Sequence, residues 1–216
     1  MYAMTCTRPN IAYAMGKMSR YTSNPSRIHW NTVHRILRYL RRTMDYGILY
    51  SGYPTVLEGY TDTSWIADND DHKSTNGWIF TLGRGAIFWD SKKQTLIIDS
   101  TMAVELVALA SCSKEAKWLR NLLMEIPIWP KPMSLISLHC DSQATLSRAY
   151  SHIYNGKSRH IGLRHSYVRQ LLTDRVITID FVRSAQNLVD PLTKGLARDL
   201  VWKTSKGMGL KPLDHQ

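Results

Sequence analysis

The sequence contains few cysteines, and they are widely spaced. Cys6, Cys112 and Cys140 are the three among 216 residues, and no two of them form a C-x-x-C pair. An odd number at such spacing is not typical of a disulfide framework or of a structural zinc site. We therefore expect a hydrophobic core to stabilise the fold, and a chain with 44% hydrophobic residues is long enough to bury one.

Long hydrophobic runs are also absent. No window approaches the roughly 18 to 20 uninterrupted apolar residues of a membrane span, and the chain does not open with a charged segment followed by an apolar one. We therefore expect no membrane partner and no secretory address. The expected location is intracellular, in a cytoplasmic particle or in the nucleus.

Acidic residues are scarce relative to basic ones. The chain has 28 Lys and Arg against 17 Asp and Glu, which gives a net charge of +11 and a pI near 9.7. Such an excess favours a nucleic-acid partner, because each basic side chain placed against a phosphate releases condensed counterions. A solvated basic surface is the alternative reading of the same composition.

No acidic residue precedes Asp45, and the segment before it is basic. Apolar residues at helical spacing predict two helices, Asn10 to Tyr21 and Ser26 to Arg42, arranged as a hairpin. The second helix is predicted to have one apolar face, formed by Trp30, Val33, Ile36, Leu37 and Leu40. Arg38 and Arg42 lie largely outside that face. They could bind a nucleic-acid backbone or be solvated, and the pattern does not favour either use.

A short strand that ends in turn residues at Pro54 marks a change of pattern to closely spaced strands. The predicted order is three antiparallel strands (Leu57 to Asp62, Gly77 to Leu82, Ala86 to Asp90), a helix (Ser100 to Glu125), a strand (Ser134 to Cys140), helices that include a basic one (Lys157 to Arg175), a strand (Val176 to Val182) and a last helix (Leu192 to Lys206). We expect a helical segment at 1–54, an α/β domain at 55–206 and a poorly ordered tail at 207–216.

Four acidic residues stand where predicted strands end or within predicted helices. Asp62 ends a strand, Glu105 lies in the first two turns of the long helix, Asp141 follows a strand and Asp190 precedes a proline. Each has an ordinary alternative, since Glu105 could face solvent and the two later aspartates could cap helices. Carboxylates at the ends of strands in an α/β sheet also project into the crevice that binds ligands. The hypothesis is that the four hold divalent metal ions, which prefer oxygen ligands.

The basic helix, KSRHIGLRHSYVRQLLTDR, is the second candidate for a function. Contact with phosphates is the expected use of its basic side chains, notably Lys157, Arg159, Arg164 and Arg169. His160 and His165 are five positions apart, which does not place them on one helix face. A metal-binding histidine pair is therefore not expected.

The motifs GYTDTSW, STMAVELVAL, HCDSQATL and NLVDPLTK resemble, in this order, the ribonuclease H domain of copia-type retrotransposon Pol polyproteins of plants. The segments RPNIAYAMGKMSRYTSNPS and HWNTVHRILRYLRRTMDYGILY look like the part that links reverse transcriptase to ribonuclease H. The resemblance covers essentially the whole chain. It implies an α/β, ribonuclease H-like fold with a mixed five-stranded sheet. In that fold three antiparallel strands come first, helices pack on the sheet, and a helical hairpin precedes it.

The resemblance also implies an activity. Carried over by motif, the family's catalytic residues and metal ligands fall on Asp62, Glu105, Asp141 and Asp190. They would hold two Mg²⁺ ions, which Mn²⁺ can replace, on either side of a phosphodiester. The expected reaction is hydrolysis of the RNA strand of RNA·DNA hybrids, with the hybrid and the reverse-transcriptase part of the same polyprotein as partners. A catalytically silent remnant that still binds nucleic acid is the alternative.

Overall fold

The computed structural model describes residues 2–51, 56–65, 73–98, 100–154 and 158–213. The helices are α1 (Tyr2–Cys6), α2 (Ala12–Met18), α3 (Arg27–Arg42), α4 (Thr101–Glu125), α5 (Gln143–Tyr150), α6 (Arg159–Thr173), α7 (Asp190–Thr193) and α8 (Arg198–Gly207). The strands are β1 (Tyr46–Ile48), β2 (Leu57–Ser64), β3 (Thr75–Leu82), β4 (Gly85–Lys93), β5 (Ile136–Cys140), β6 (Ile177–Phe181) and β7 (Leu210–Pro212). Within these residues the predicted helices and strands are present, although several of their ends differ.

The central sheet has five strands in the order β4-β3-β2-β5-β6. Neighbours among β2, β3 and β4 are antiparallel, whereas β5 is parallel to both β2 and β6. Three antiparallel strands in succession followed by two crossover strands form the mixed sheet that was expected. The expected α/β fold, with a mixed five-stranded sheet in which the three antiparallel strands come first, is therefore confirmed.

The turn between β3 and β4 fixes the register of the first hairpin. Gly83 and Arg84 have positive φ values of 55° and 63°, which is the backbone of a type I′ turn. Gly83 and Gly85 predict a hairpin turn at this point, because glycine readily adopts a positive φ. Of these, only Gly83 supplies a positive φ, and Arg84 adopts the second.

Side chains that alternate along β3 pack into separate cores on the two faces of the sheet. Trp78 and Phe80 join the larger core, in which α4 is the main covering helix. Ile79 points to the other face and packs in a second core that includes Leu192 of α7 and Met208. The sheet is thus covered on both faces, and the end of β2 lies between the two layers.

The N-terminal segment is less regular than predicted. In place of one helix at 10–21 the chain forms three shorter ones: α2, with the 3-10 helix Pro9–Ile11 before it and the 3-10 helix Ser19–Tyr21 after it. Helix α3 begins after Ser26 as predicted, with a capping box formed with His29. Its predicted apolar face is wrong in part, because Trp30 and Leu37 are each 57% exposed.

The strand that follows α3 pairs with the C-terminal end of the described chain in a small sheet. β1 pairs antiparallel with β7, and Met208 and Leu210 are buried. Backbone hydrogen bonds from Leu49 and Ala86 to this stretch hold it in place. The expectation of a poorly ordered tail is therefore wrong for residues 208–213. The predicted last helix is also divided, into α7 and α8.

Among the described residues, no helix is both long enough and apolar enough to span a membrane.

Candidate active site

Strand pairing brings two of the predicted ligands together. β2 and β5 run parallel with Thr61 opposite Cys140, so that Asp62 and Asp141, the residues after this pair, lie at the same level. The prediction that a strand ends at Asp62 is wrong, since β2 continues to Ser64 and pairs there with β3. Asp62 is therefore held inside a strand and is only 3% exposed.

Glu105 reaches the same region from α4, where it lies in the second turn. An oxygen of its carboxylate, an oxygen of Asp141 and the Sγ atom of Cys140 all lie within 4.8 Å of one another. Oε2 of Glu105 is buried and has no hydrogen-bond partner, while the carboxylate accepts a hydrogen bond from the backbone of Thr63. Burial raises the pKa of Glu105 to about 9, and the charges of Asp62 and Asp141 add to this effect. The solvent-facing alternative for Glu105 is wrong.

Asp62 is surrounded by groups that stabilise its charge in part. The hydroxyl of Thr193 donates a hydrogen bond to Oδ2 of Asp62 at 2.5 Å, and Nζ of Lys194 lies 3.8 Å from the same oxygen. Burial nevertheless outweighs both and raises the pKa of Asp62, to which the neighbouring charges of Asp141 and Asp190 contribute. A further positive charge at this point would relieve the repulsion.

Asp190 enters the site as the first residue of α7, not as the cap before it as predicted. Nζ of Lys194, one helical turn later, lies 2.9 Å from Oδ1 of Asp190. Partial burial lowers the pKa of Lys194, but the hydrogen bond to Asp190 and the charges of Asp62 and Asp190 raise it overall. Lys194 is thus a cation that joins two of the four carboxylates.

Asp141 does not cap α5. The cap is Ser142, whose hydroxyl accepts a hydrogen bond from the backbone N–H of Thr145 at 3.2 Å. Asp141 is left free to face the site, where the hydroxyl of Ser184 donates a hydrogen bond to its Oδ2 at 2.6 Å. The alternative reading of Asp141 as a helix cap is therefore wrong.

Several residues that the sequence reading passed over hold the four carboxylates in place. Asn187 is buried, donates a hydrogen bond to the carbonyl oxygen of Thr61 and accepts one from the backbone of Val189. With Thr193, Lys194 and Ser184 it links the segment around α7 to β2 and β5. One of these residues had a signal in the sequence, because Asp190 and Lys194 have the spacing of an ion pair on one helix face.

The four carboxylates fit divalent cations. If all are ionised they carry four negative charges, against which the site places one lysine. A hard cation would reduce the repulsion among these buried carboxylates and would give the unpartnered oxygen a partner. Mg²⁺ is such a cation, since it is bound by one or two carboxylates per ion and retains water. Asp62, Glu105, Asp141 and Asp190 are the residues that would hold such ions.

The predicted phosphate-binding residues lie in different settings. Arg159, Arg38 and Arg42 are exposed, the first on α6 and the others on α3, while Lys157 lies outside the described residues. Arg169 donates hydrogen bonds to the carbonyl oxygen of Tyr150 and contacts His152, so that it holds the end of α5. Contact of these residues with phosphates stays a prediction.

Arg164 differs from the others because it lines a groove beside the carboxylates. The groove runs between the end of β4 and helices α4 and α6. Its basic side chains are Lys92, Lys93, Lys114 and Arg164, and they outnumber its two acidic ones, Asp90 and Glu115. Gln94, at one end of it, donates a hydrogen bond to the carbonyl oxygen of Val104, the residue before Glu105. We call it the basic groove. Its three lysines were not predicted, because they are distant from α6 in sequence.

No protein-family model matches the chain. The retrovirus-related Pol polyprotein from transposon TNT 1-94 of Nicotiana tabacum is 37% identical over 199 residues, which are 92% of this chain and 15% of that protein. The corresponding polyprotein from transposon RE2 of Arabidopsis thaliana is 34% identical over 205 residues, 94% of this chain and 14% of its own. Among solved structures, RNase H1 from the archaeon Halobacterium salinarum matches 63% of this chain and 93% of its own, with a TM-score of 0.44 and 19% identity. The chain spans about 15% of the length of these polyprotein relatives, and it is homologous to one part of the retrovirus-related Pol polyproteins of plant transposons.

Proposed function

We propose that the chain is a metal-dependent endonuclease that hydrolyses the RNA strand of RNA·DNA hybrids. The observation that carries the proposal is that the charges of Asp62 and Asp141 act on the carboxylate of Glu105, whose Oε2 is buried without a partner, while Lys194 joins Asp62 to Asp190. Asp62 lies in β2, Asp141 directly follows the neighbouring strand β5, and the other two come from helices on opposite faces of the sheet. Such a site requires the whole fold, and a purely structural role would not need four acids in one place.

The chain's own residues would hold and orient the reacting groups. When bound, two Mg²⁺ ions supply activation of the attacking water and stabilisation of the departing 3′ oxygen. Thr193 and Lys194 orient Asp62, Lys194 also orients Asp190, and Ser184 orients Asp141, so that the carboxylates are positioned before substrate arrives. The basic groove would bind phosphates beside the site, and the 2′-hydroxyl distinguishes the RNA strand from DNA.

Cleavage of a labelled hybrid tests the proposal. The purified chain with Mg²⁺ or Mn²⁺ should cut the RNA strand, and Asp141→Asn should abolish cutting while it leaves binding of the hybrid within about twofold. Glu125→Gln is the matched control, because Glu125 is an exposed acid at the far end of α4. Binding without cleavage by the unaltered chain would favour the silent remnant and overturn the proposal.

We further infer that residues 1–54 connect this domain, 55–206, to a reverse-transcriptase part of the same polyprotein. Helix α3 supports this, because Ile28, Trp30 and Leu37 are large apolar side chains with exposures of 74%, 57% and 57%. The separately expressed reverse-transcriptase part should bind the chain, and Trp30→Ser together with Leu37→Ser should weaken that binding. Unchanged binding by the double variant would refute the inference.

A further inference from the structure

We propose that the candidate active site also binds a thiophilic divalent cation, of the zinc or cadmium class, through the thiolate of Cys140 together with Glu105 and Asp141. Such an ion would compete with Mg²⁺ and inhibit the reaction. The inference rests on the proposed function, because two of the three ligands are shared with the magnesium site. The thiol ligand is what distinguishes the two modes of binding.

The position of Cys140 follows from the strand that carries it. It is the last residue of β5 and points to the same face as Leu138, toward α4, from which Glu105 extends. Its side chain is fully buried, and its Sγ lies within 4.8 Å of a carboxylate oxygen of Glu105 and of Asp141. Three donor atoms from a strand, the residue after it and a helix therefore surround one point.

Two of the three donor atoms have no strong interaction, whereas the carboxylate of Asp141 accepts a hydrogen bond from Ser184 at one of its two oxygens. Oε2 of Glu105 is buried without a hydrogen-bond partner. Sγ of Cys140 has two long contacts with Ser142: it accepts one from the backbone N–H at 3.5 Å and donates one to the carbonyl oxygen at 4.0 Å. Neither atom has a strong interaction that a metal ion would have to replace.

The chemistry of the donor set favours a different ion from Mg²⁺. Mg²⁺ selects oxygen ligands and has no preference for sulfur, whereas zinc binds thiolate, carboxylate and water in a tetrahedral arrangement. Metal–sulfur and metal–oxygen distances of about 2.3 and 2.1 Å require donor atoms roughly 3.5 Å apart. The donor atoms lie within 4.8 Å of one another, so binding of one ion requires them to move closer together. On binding, the S–H bond breaks, a sulfur–metal bond forms and the proton leaves to solvent, with no change of oxidation state.

The other two cysteines provide controls. Cys112 is also fully buried, on α4, but it does not belong to the group formed by Cys140 and the two acids. Cys6 is exposed on α1 and would bind added metal on its own. The comparison is therefore best made in a chain that carries Cys6→Ser throughout.

Ultraviolet absorption of cadmium–thiolate charge transfer tests the proposal without any measurement of activity. Titration of the Cys6→Ser chain with Cd²⁺ should give this absorption at one ion per chain. Cys140→Ser should lose it and bind Cd²⁺ about 100-fold more weakly, since loss of even an indirect partner costs 10 to 100-fold in metal affinity. Cys112→Ser should retain it. Equal absorption with Cys140→Ser would overturn the proposal.

Two further measurements separate this proposal from that of the enzyme. Cys140→Ala, which removes the sulfur without placing a hydroxyl in the core, should give the same loss of absorption and retain the circular-dichroism spectrum and cooperative melting of the parent chain. If the unaltered chain cleaves hybrid, Zn²⁺ should inhibit it and should inhibit Cys140→Ala far less; equal inhibition would overturn the proposal. Thiolate absorption in a chain that cleaves nothing would support the soft-metal site and refute the ribonuclease alone.

Discussion

Replacement of Glu105 by glutamine should stabilise the metal-free protein at neutral pH. The folded protein holds a proton on Glu105 far above the pH at which the unfolded chain loses it, because the pKa is about 9 in the fold against an ordinary value of 4.5. A raised pKa gives stability that is fully present below the unfolded pKa and is lost as the pH rises toward the folded one. Glutamine has nearly the shape of the protonated acid and has no proton to lose.

The size of the effect follows from this difference. Each pH unit above about 4.5 lowers the free energy of unfolding by about 1.4 kcal/mol. At pH 7 the loss reaches about 3 kcal/mol, and at about pH 9 it levels off because both states are then ionised. Glu105→Gln should therefore be more stable than the parent by up to about 3 kcal/mol at pH 7 and nearly equal to it near pH 4.5.

Urea unfolding in the presence of EDTA, at several pH values between about 5 and 8, measures this difference. The parent's free energy of unfolding should fall with pH at a slope close to that of one extra proton held by the folded state. The variant's slope should lack that contribution. Asp62 contributes a slope of the same sign, so the variant should not become flat. Added Mg²⁺ should reduce the parent's slope, because a cation favours the ionised carboxylate. An identical slope in parent and variant would refute the assignment of a protonated Glu105.

Three other substitutions test the surroundings of the site. Thr193→Val should lower the free energy of unfolding by about 1.5 to 3 kcal/mol, since it removes a hydrogen bond to the buried charge of Asp62, and Thr193→Ser should restore most of it in the same urea measurement. Lys194→Met should raise Mg²⁺ affinity about tenfold in calorimetry, because the ammonium near Asp62 and Asp190 repels an added cation. Tenfold corresponds to about 1.4 kcal/mol of repulsion, and unchanged or weaker binding would contradict this. Gly59→Ala should lower the melting temperature and destabilise the fold by about 1 to 3 kcal/mol, because an added Cβ would lie 2.6 Å from a core side chain.

The fold could be predicted from the sequence because its elements have strong local signals. The alternation in β2 and β3, the glycines of the hairpin and the long apolar pattern of α4 each specify one element without help from distant residues. The apolar pattern failed where burial depends on a distant partner. Trp118 and Leu122 have helical spacing with the core residues of α4, yet they are 51% and 42% exposed. Nothing local in the sequence shows where the sheet ends beneath the helix.

The candidate site could be predicted only in part for the same reason. Each of the four carboxylates stands at a strand or helix position that its neighbours in sequence reveal, and their motifs resemble a known family. Most of the groups that hold the carboxylates have no such local signal. The hydroxyl of Thr193, for example, is 131 positions from the carboxylate of Asp62. In the sequence, Thr193 resembles the ordinary end of a helix, and only the four-residue spacing of Lys194 from Asp190 indicates an interaction.

Whether the four acids meet depends on the register of β5 against β2, which no local pattern fixes. Thr61 opposite Cys140 aligns Asp62 with Asp141, and a slip of one residue would turn every side chain of β5 to the other face. The burial of Leu138 and Cys140 beneath α4 excludes that slip, because it would place the half-buried His139 in the core. The hydrophobic core on one face of β5 therefore sets the position of the carboxylate that follows it, and the same packing places the Cys140 thiol beside Glu105.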